Sequence, residues 1–226
     1  MMLEIPELLP PDQLQYVRKT LEAAQWSDGK LTAGYNAASS KNNLQLPGDS
    51  AAAQELGDLI LDAVGQNPLF VATTLPLKVL PPTFNCYRDG GNYGNHVDNA
   101  IRSLPGVAHK LRTDISCTLF LNAPDEYDGG ELIAEDTFGI RGVKLPAGSL
   151  LVYPGSSVHR VNPVTRGVRF AAFFWVQSFI RDTSQRRILL ELDASIQQLA
   201  QKLPDDPALV QLTGVYHNLL RQWADT

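Results

Sequence analysis

The chain has 226 residues, 44% of them hydrophobic, with 19 lysines and arginines against 24 aspartates and glutamates and a formal charge of −5. That supports a substantial core, in one domain with an appendage or in two small ones. A mildly acidic chain without a lysine-arginine stripe has no field to attract nucleic acid or an anionic membrane, and no segment approaches the roughly 18 uncharged apolar residues of a membrane helix.

The first segment, MMLEIPELLPPDQ, lacks the basic region and long apolar run of a signal peptide, so a cytoplasmic protein is expected. PPDQLQYVRKTLEAAQW reads as a helix, with Leu14, Val17, Leu21 and Ala24 on one face and prolines at its start, where a missing N–H costs little. SDGKLTAGYNAASSKNNLQL is rich in Gly, Ser and Asn and predicts a loop with short strand pieces at either end. A second helix is expected over about 50–64, with Leu56, Leu59, Ile60 and Ala63 inward, and Asn67-Pro68 opens a short further helical turn.

From Leu77 the pattern changes to short apolar, β-branched or aromatic runs such as LKVLPPTFNCY, DISCTLFLN, GSLLVYP and GVRFAAFFWVQSF, punctuated by Gly, Pro, Asn and Asp. Such runs predict two packed antiparallel sheets, a jelly roll or cupin-like barrel. DEYDGGE, between Leu121 and Leu132, reads as a hairpin connection, and LPAG at 145–148 as a turn. After Ile180 the helical period returns. RRILLELDASIQQLAQKL puts Ile188, Leu189, Leu192, Ile196 and Leu199 on one stripe, and PDDPALVQLTGVYHNLLRQW follows as a second helix capped by Asp205 or Asp206. The two cysteines, Cys86 and Cys117, lie in strand-like sequence and read as buried free thiols; two cysteines exclude a zinc knuckle.

Of four histidines, one stands in FNCYRDGGNYGNHVD, where His96 and Asp98 are one residue apart. At strand spacing, residues i and i+2 share a face with Cα atoms roughly 6.6 Å apart, close enough for both side chains to reach one ion. A third ligand is available in GSLLVYPGSSVHRV, where a strand leads to His159. Two histidines and a carboxylate leave positions of an octahedral iron(II) open. Ten residues on, VHRVNPVTRGVRF has the turn residues of a hairpin, which sets Arg169 on the strand beside His159. A guanidinium near open iron binds a dicarboxylate through two parallel charge-assisted hydrogen bonds. His109 and His217 read as surface or helix residues, Trp175 as core and Glu131 as a solvated hairpin-edge residue. Arg112 suits either a structural ion pair or a target site.

These residues resemble the iron(II)/2-oxoglutarate-dependent dioxygenases of the prolyl-hydroxylase branch: Tyr87 and Gly90, Tyr93, His96-Val97-Asp98-Asn99, Arg112-Thr113, Leu121-Asn122, Gly129-Gly130-Glu131-Leu132, Gly148, His159 and Arg169. More narrowly, GGELIAEDTFG, YPGSSVHRVNPVTRG and FFWVQSFIRD are similar to bacterial PKHD-type hydroxylases. The resemblance implies that His96, Asp98 and His159 hold iron(II), that Arg169 binds the distal carboxylate of 2-oxoglutarate, and that Tyr87 donates a hydrogen bond to the cosubstrate. Phe120 stands where some prolyl hydroxylases carry a tyrosine supporting that carboxylate. Thr118, on the same face, is the candidate to replace it. The stretch 99–110 is the expected lid or substrate loop, with Asn99, Arg102 and Arg112 as candidate target contacts. Ascorbate is implied as the rescuing reductant.

The expected protein is therefore mainly β with flanking helices: a double-stranded β-helix (jelly-roll or cupin-like) core carrying N-terminal helices, over 1–180 with its catalytic core at about 78–178, and a C-terminal helical pair over 181–226. The expected activity is hydroxylation coupled to decarboxylation of 2-oxoglutarate, on a small molecule or a protein side chain, in a monomer or a homo-oligomer. The same ligands serve demethylation and desaturation. The rivals are a cupin-like metal sensor without turnover, to which Arg169 would be of no use, and a zinc hydrolase, for which the sequence supplies no general base.

Overall fold

The computed structural model describes residues 2–32, 40–103, 110–136 and 139–225. The larger sheet runs β1 (Leu3–Ile5), β14 (Leu150–Pro154), β10 (Ile115–Phe120), β17 (Arg169–Ser178), β6 (Thr83–Tyr87), β4 (Leu44–Gln45) and β2 (Ser27–Asp28), with β5 (Pro76–Val79) also pairing β17. The smaller runs β13 (Gly139–Val143), β12 (Leu132–Asp136), β15 (His159–Val161), β7 (Asn92–His96) and β3 (Lys41–Asn42). Two ribbons complete the set: β11 (Asp128–Gly129) with β16 (Val164–Arg166), and β8 (Ile101–Ser103) with β9 (Lys110–Arg112). Every strand pair among the described residues is antiparallel. The double-stranded β-helix expected from the sequence is present.

Strand alternation divides the larger sheet into two faces. Phe84 and Cys86 of β6, Cys117 and Leu119 of β10, and Ala172 and Phe174 of β17 form one apolar cluster with the helices α1 (Pro11–Ala23), α2 (Ala51–Gln66) and α3 (Pro68–Thr74), through Val17, Leu21, Leu56, Ile60 and Phe70. Both cysteines are buried and free. Their alternation partners, among them Tyr87, Phe120, Leu151 and Tyr153, face the smaller sheet and close a second core with Leu132 and Val161. Side chains cap two of these helices. Ser50 accepts from the Ala53 N–H at 3.2 Å, and Asn67 from that of Phe70 at 2.9 Å.

The C-terminal pair is α4 (Thr183–Lys202), capped by Asp182, and α5 (Pro207–Trp223), capped by Asp206. The expected apolar stripe of α4 splits. Leu189 is fully buried, whereas Ile188 and Leu199 are 48% and 37% exposed.

Three local readings need correction. The segment before His159 and the one after it do not form a hairpin. β15 pairs with β12 and β7 in the smaller sheet, whereas β17 pairs with β10, β6 and β5 in the larger. The turn residues between them bend the chain across the barrel. Gly167, at φ +75°, presses so close to Glu126 that a Cβ would lie 2.2 Å from its carbonyl oxygen. The DEYDGGE stretch likewise crosses from β10 in one sheet to β12 in the other. Glu131 is not simply solvated: its carboxylate accepts from Asn162 Nδ2 at 3.1 Å.

Candidate metal centre

His96 ends β7, and the inward-outward alternation persists past the strand end. Val97 is 50% exposed, while the side chains of Asp98 and His159 are 11% and 6% exposed. His159 opens β15 directly opposite His96 in the antiparallel register. One ligand atom from each of His96, Asp98 and His159 lies within 4.8 Å of the others, the single such cluster among the described residues. Strand pairing therefore does what the 63-residue separation of His96 and His159 in sequence conceals.

Both imidazoles are oriented by backbone. His96 Nδ1 meets the Gly94 carbonyl at 2.8 Å, and His159 Nδ1 meets that of Ser157 at 3.0 Å. A carbonyl only accepts, so each Nδ1 carries a proton, and Nε2 is the ring atom left to face a metal. Burial, reinforced by the neighbouring His159, pushes His96 down from its ordinary pKa and keeps the ring neutral, as a ligand must be. Ser116 Oγ on β10 donates to Asp98 Oδ2 at 2.6 Å. Tyr93 stacks on His96 with ring centroids 3.6 Å apart, and Tyr153 meets His159 edge-on at 5.2 Å. Two neutral imidazole nitrogens and a braced carboxylate suit a divalent first-row metal.

The triad opens on a cavity of about 380 Å3 between the sheets, and Arg169 lies in its wall on the opposite sheet. Arg169 is 1% exposed, and its Nε and Nη2 have no hydrogen-bond partner among the described residues. Its guanidinium carbon sits 5.3 Å from the Tyr87 ring and 5.1 Å from that of Phe120. Gly130, at φ +68°, makes room for it, since a Cβ there would lie 3.0 Å from Arg169 Cδ and 2.9 Å from Tyr127 Cε2. Tyr87 receives a hydrogen bond from Asn85 Nδ2 at 3.2 Å, which leaves its own phenol proton available.

Thr118 lines the cavity, 3.4 Å from the Tyr153 hydroxyl. Asn99 and Arg102 line it too. Arg112 does not. It grips Asp114 through Nε at 2.6 Å and Nη2 at 3.1 Å, and reaches Asp225 at 3.1 Å, the ion-pair alternative of the two the sequence allows. Trp175, expected as plain core, is buried but forms part of the cavity wall. Residues 104–109 of the expected lid, with His109, fall outside the described residues.

Sequence reasoning passed over Ser116, Tyr153, Lys41 and Tyr127. Ser116 and Tyr153 share the inward face of paired strands, Ser116 opposite Tyr153, and period-two reading of DISCTLF and LLVYP marks them. Lys41 is 4% exposed and its pKa is pushed down to about 8, first by burial and then by the charge of Arg102. The Tyr127 hydroxyl is buried beside Arg169, whose charge and hydrogen bonding oppose the rise in pKa that burial causes.

Residues 82–177 match the family model of the 2OG-Fe(II) oxygenase superfamily, and residues 183–225 match that of the PKHD-type hydroxylase C-terminal domain. The chain is 56% identical over 225 residues to a PKHD-type hydroxylase of Pseudomonas putida (strain W619), covering 100% of both chains. It is 59% identical over 224 residues to one of Delftia acidovorans, covering 99% of each. In fold it is similar to a Pseudomonas putida prolyl-4-hydroxylase, with TM-score 0.53 and 20% identity over 78% of this chain and 92% of that one. HygX from Streptomyces hygroscopicus, solved with nickel and 2-oxoglutarate bound, gives TM-score 0.54 and 15% identity over 79% of this chain and 84% of its own.

Proposed function

This chain belongs to the PKHD-type hydroxylase family and is a 2-oxoglutarate- and iron(II)-dependent oxygenase, and from that premise we propose that His96, Asp98 and His159 hold the iron while Arg169 binds the distal carboxylate of 2-oxoglutarate. One observation carries this reading: a fully buried guanidinium with unspent donors shares a cavity with the three-ligand cluster. An unpaired buried cation costs several kcal/mol, and an anion bound in the same cavity would offset that cost. A metal sensor without turnover has no use for it.

With iron and 2-oxoglutarate bound, the site supplies oxidation of a C–H bond by dioxygen, the keto acid leaving as succinate and carbon dioxide. The chain's own residues set the geometry. Ser116 fixes the Asp98 carboxylate, and the Gly94 and Ser157 carbonyls fix the two imidazoles. Tyr87, freed as a donor by Asn85, offers its hydroxyl to the cosubstrate, and the Thr118–Tyr153 hydroxyl pair offers a second polar point. Leu132, Val161 and Phe173 keep the walls apolar and limit water. The target is a peptide or small molecule. Ascorbate, as the reductant that restores iron(II) after an idle turnover, rests on the family resemblance, and so does the division into an oxygenase domain over 1–180 and a helical extension over 181–226. No helix among the described residues is long and apolar enough to cross a membrane.

The test is anaerobic titration of iron(II) and 2-oxoglutarate into metal-free protein, reading the weak visible absorption that iron(II) gives with a chelating keto acid. The band is expected in the native protein and absent in His159→Ala. Iron binding without a band would remove the role given to Arg169.

A further inference from the structure

Away from the metal ligands, the same cavity carries a second cationic feature. Arg102, on β8, lies flat against Trp175, its guanidinium carbon 3.8 Å from the ring centroid. It is half-buried, and burial lowers its pKa. Among the described residues its guanidinium makes no hydrogen bond or ion pair, so stacking is its recorded contact. A guanidinium stacked on an indole keeps its donors at the rim, where they match a planar oxyanion edge-on. Lys41 lines the same cavity, close enough that its charge and that of Arg102 oppose each other.

The charge balance of the loaded site sharpens this. Asp98 and the two carboxylates of 2-oxoglutarate would offset iron(II) and Arg169. The remaining charged groups in the wall are Lys41, Arg102 and Asp28, which leave one positive charge in excess. A single carboxylate on the target would offset the charge of Arg102, which otherwise has Asp98 as the anion acting on it. Beside Arg102 the wall is aromatic: Trp175 meets Phe173 edge-on with centroids 5.3 Å apart.

We propose that this enzyme's target is a small molecule bearing a single carboxylate on a flat apolar body, with the carboxylate held by Arg102 over Trp175 and the body directed along the aromatic wall toward the metal ligands. The proposal rests on the iron and 2-oxoglutarate reading of the site. A volume of about 380 Å3, shared with the cosubstrate, suits a small molecule and leaves little room for a folded polypeptide segment.

The probes are benzoate and benzamide, equal in shape and different in charge. Each is titrated anaerobically into protein loaded with iron(II) and 2-oxoglutarate, with binding read by calorimetry and the visible band recorded in every sample as proof of loading. Benzoate is expected to bind about tenfold more tightly than benzamide or better, the scale of a charge-assisted pair. The preference should vanish in Arg102→Gln and be partly restored in Arg102→Lys, with the band intact throughout. Equal binding of the two probes, failure of both to bind, a preference that survives Arg102→Gln, or loss of the band as benzoate displaces 2-oxoglutarate would each overturn the proposal. Absence of the band before any probe is added would instead refute the cosubstrate reading on which it rests.

Discussion

Arg169 and Tyr87 are register partners across β17 and β6, and the guanidinium carbon lies 5.3 Å from the phenol ring, inside the barrel and away from water. The arrangement gives Arg169 aromatic faces but leaves two of its nitrogens without hydrogen bonds. Its cost in the cosubstrate-free protein is the source of its selectivity for an anion.

That cost makes a measurable prediction. Replacing a buried charge that lacks a counter-ion by an apolar side chain of similar length relieves its desolvation penalty, several kcal/mol per ion in real proteins. Arg169→Met is expected to melt a few degrees higher than the native protein without 2-oxoglutarate, by the usual scaling for a chain of this size. Added 2-oxoglutarate should raise the native midpoint by ligand linkage and leave the variant unmoved. A variant that melts several degrees lower would show that the guanidinium already has a stabilising partner in the protein.

Ser116 makes a second prediction. Its hydroxyl donates to Asp98 Oδ2 at 2.6 Å from the opposite sheet, so it orients the carboxylate without itself being a ligand. Loss of such an outer partner typically costs about 10- to 100-fold in metal affinity. Ser116→Ala should weaken iron(II) binding by that order in a chelator competition, while the melting curve of the metal-free protein barely moves. Unchanged affinity would mean that Asp98 is held by its backbone alone.

The ligands were legible because period-two alternation survives in the sequence: His96, Val97 and Asp98 read inward, outward, inward, and the structure follows. The helix starts at Asn67 and Asp206 were legible for a local reason, since each side chain bonds an N–H group two or three residues away. Which sheet a strand joins is a different kind of fact. NPVTRG has the composition of a hairpin turn, yet the chain there pairs β16 with β11 and then crosses the barrel, because Gly167 allows a close approach to Glu126. Arg169 was thus read as facing the iron for the wrong reason, as a neighbour of His159 when it stands on the facing sheet. Arg112 was left open between an ion pair and the target site, and its pairing with Asp114 is local whereas that with Asp225, 113 residues away, is one no local pattern spans.

Tyr127 bears on the missing tyrosine at Phe120. The Phe120 ring approaches Arg169 but carries no hydroxyl, whereas Tyr127 is packed against the same Gly130 as Arg169 and its buried hydroxyl lies beside the guanidinium. Lys144 Nζ, 4.0 Å from the ring centroid and bonded to the Tyr127 carbonyl at 2.6 Å, holds the ring in place. Tyr127→Phe is expected to weaken 2-oxoglutarate binding several-fold, read by titration of the visible band, with the cosubstrate-free midpoint little changed. Unaltered 2-oxoglutarate affinity would leave the hydroxyl without a part in holding Arg169.

Arg112 separates a structural role from a binding one. Its fork closes on Asp114, whose side chain is only 4% exposed, and its third contact ties Asp225 to the barrel after α5. Asp114 also accepts from the Ser178 N–H at 2.9 Å, so the cluster joins β9, the end of β17 and the C-terminal residues. Removing the guanidinium leaves a buried carboxylate with one donor, at a cost of about 2–4 kcal/mol. Arg112→Ala should therefore lower the midpoint of denaturation clearly. Iron(II) and 2-oxoglutarate affinities measured below the transition should stay at native values, and so should the preference for benzoate over benzamide. A loss of that preference without loss of stability would place Arg112 at the target site.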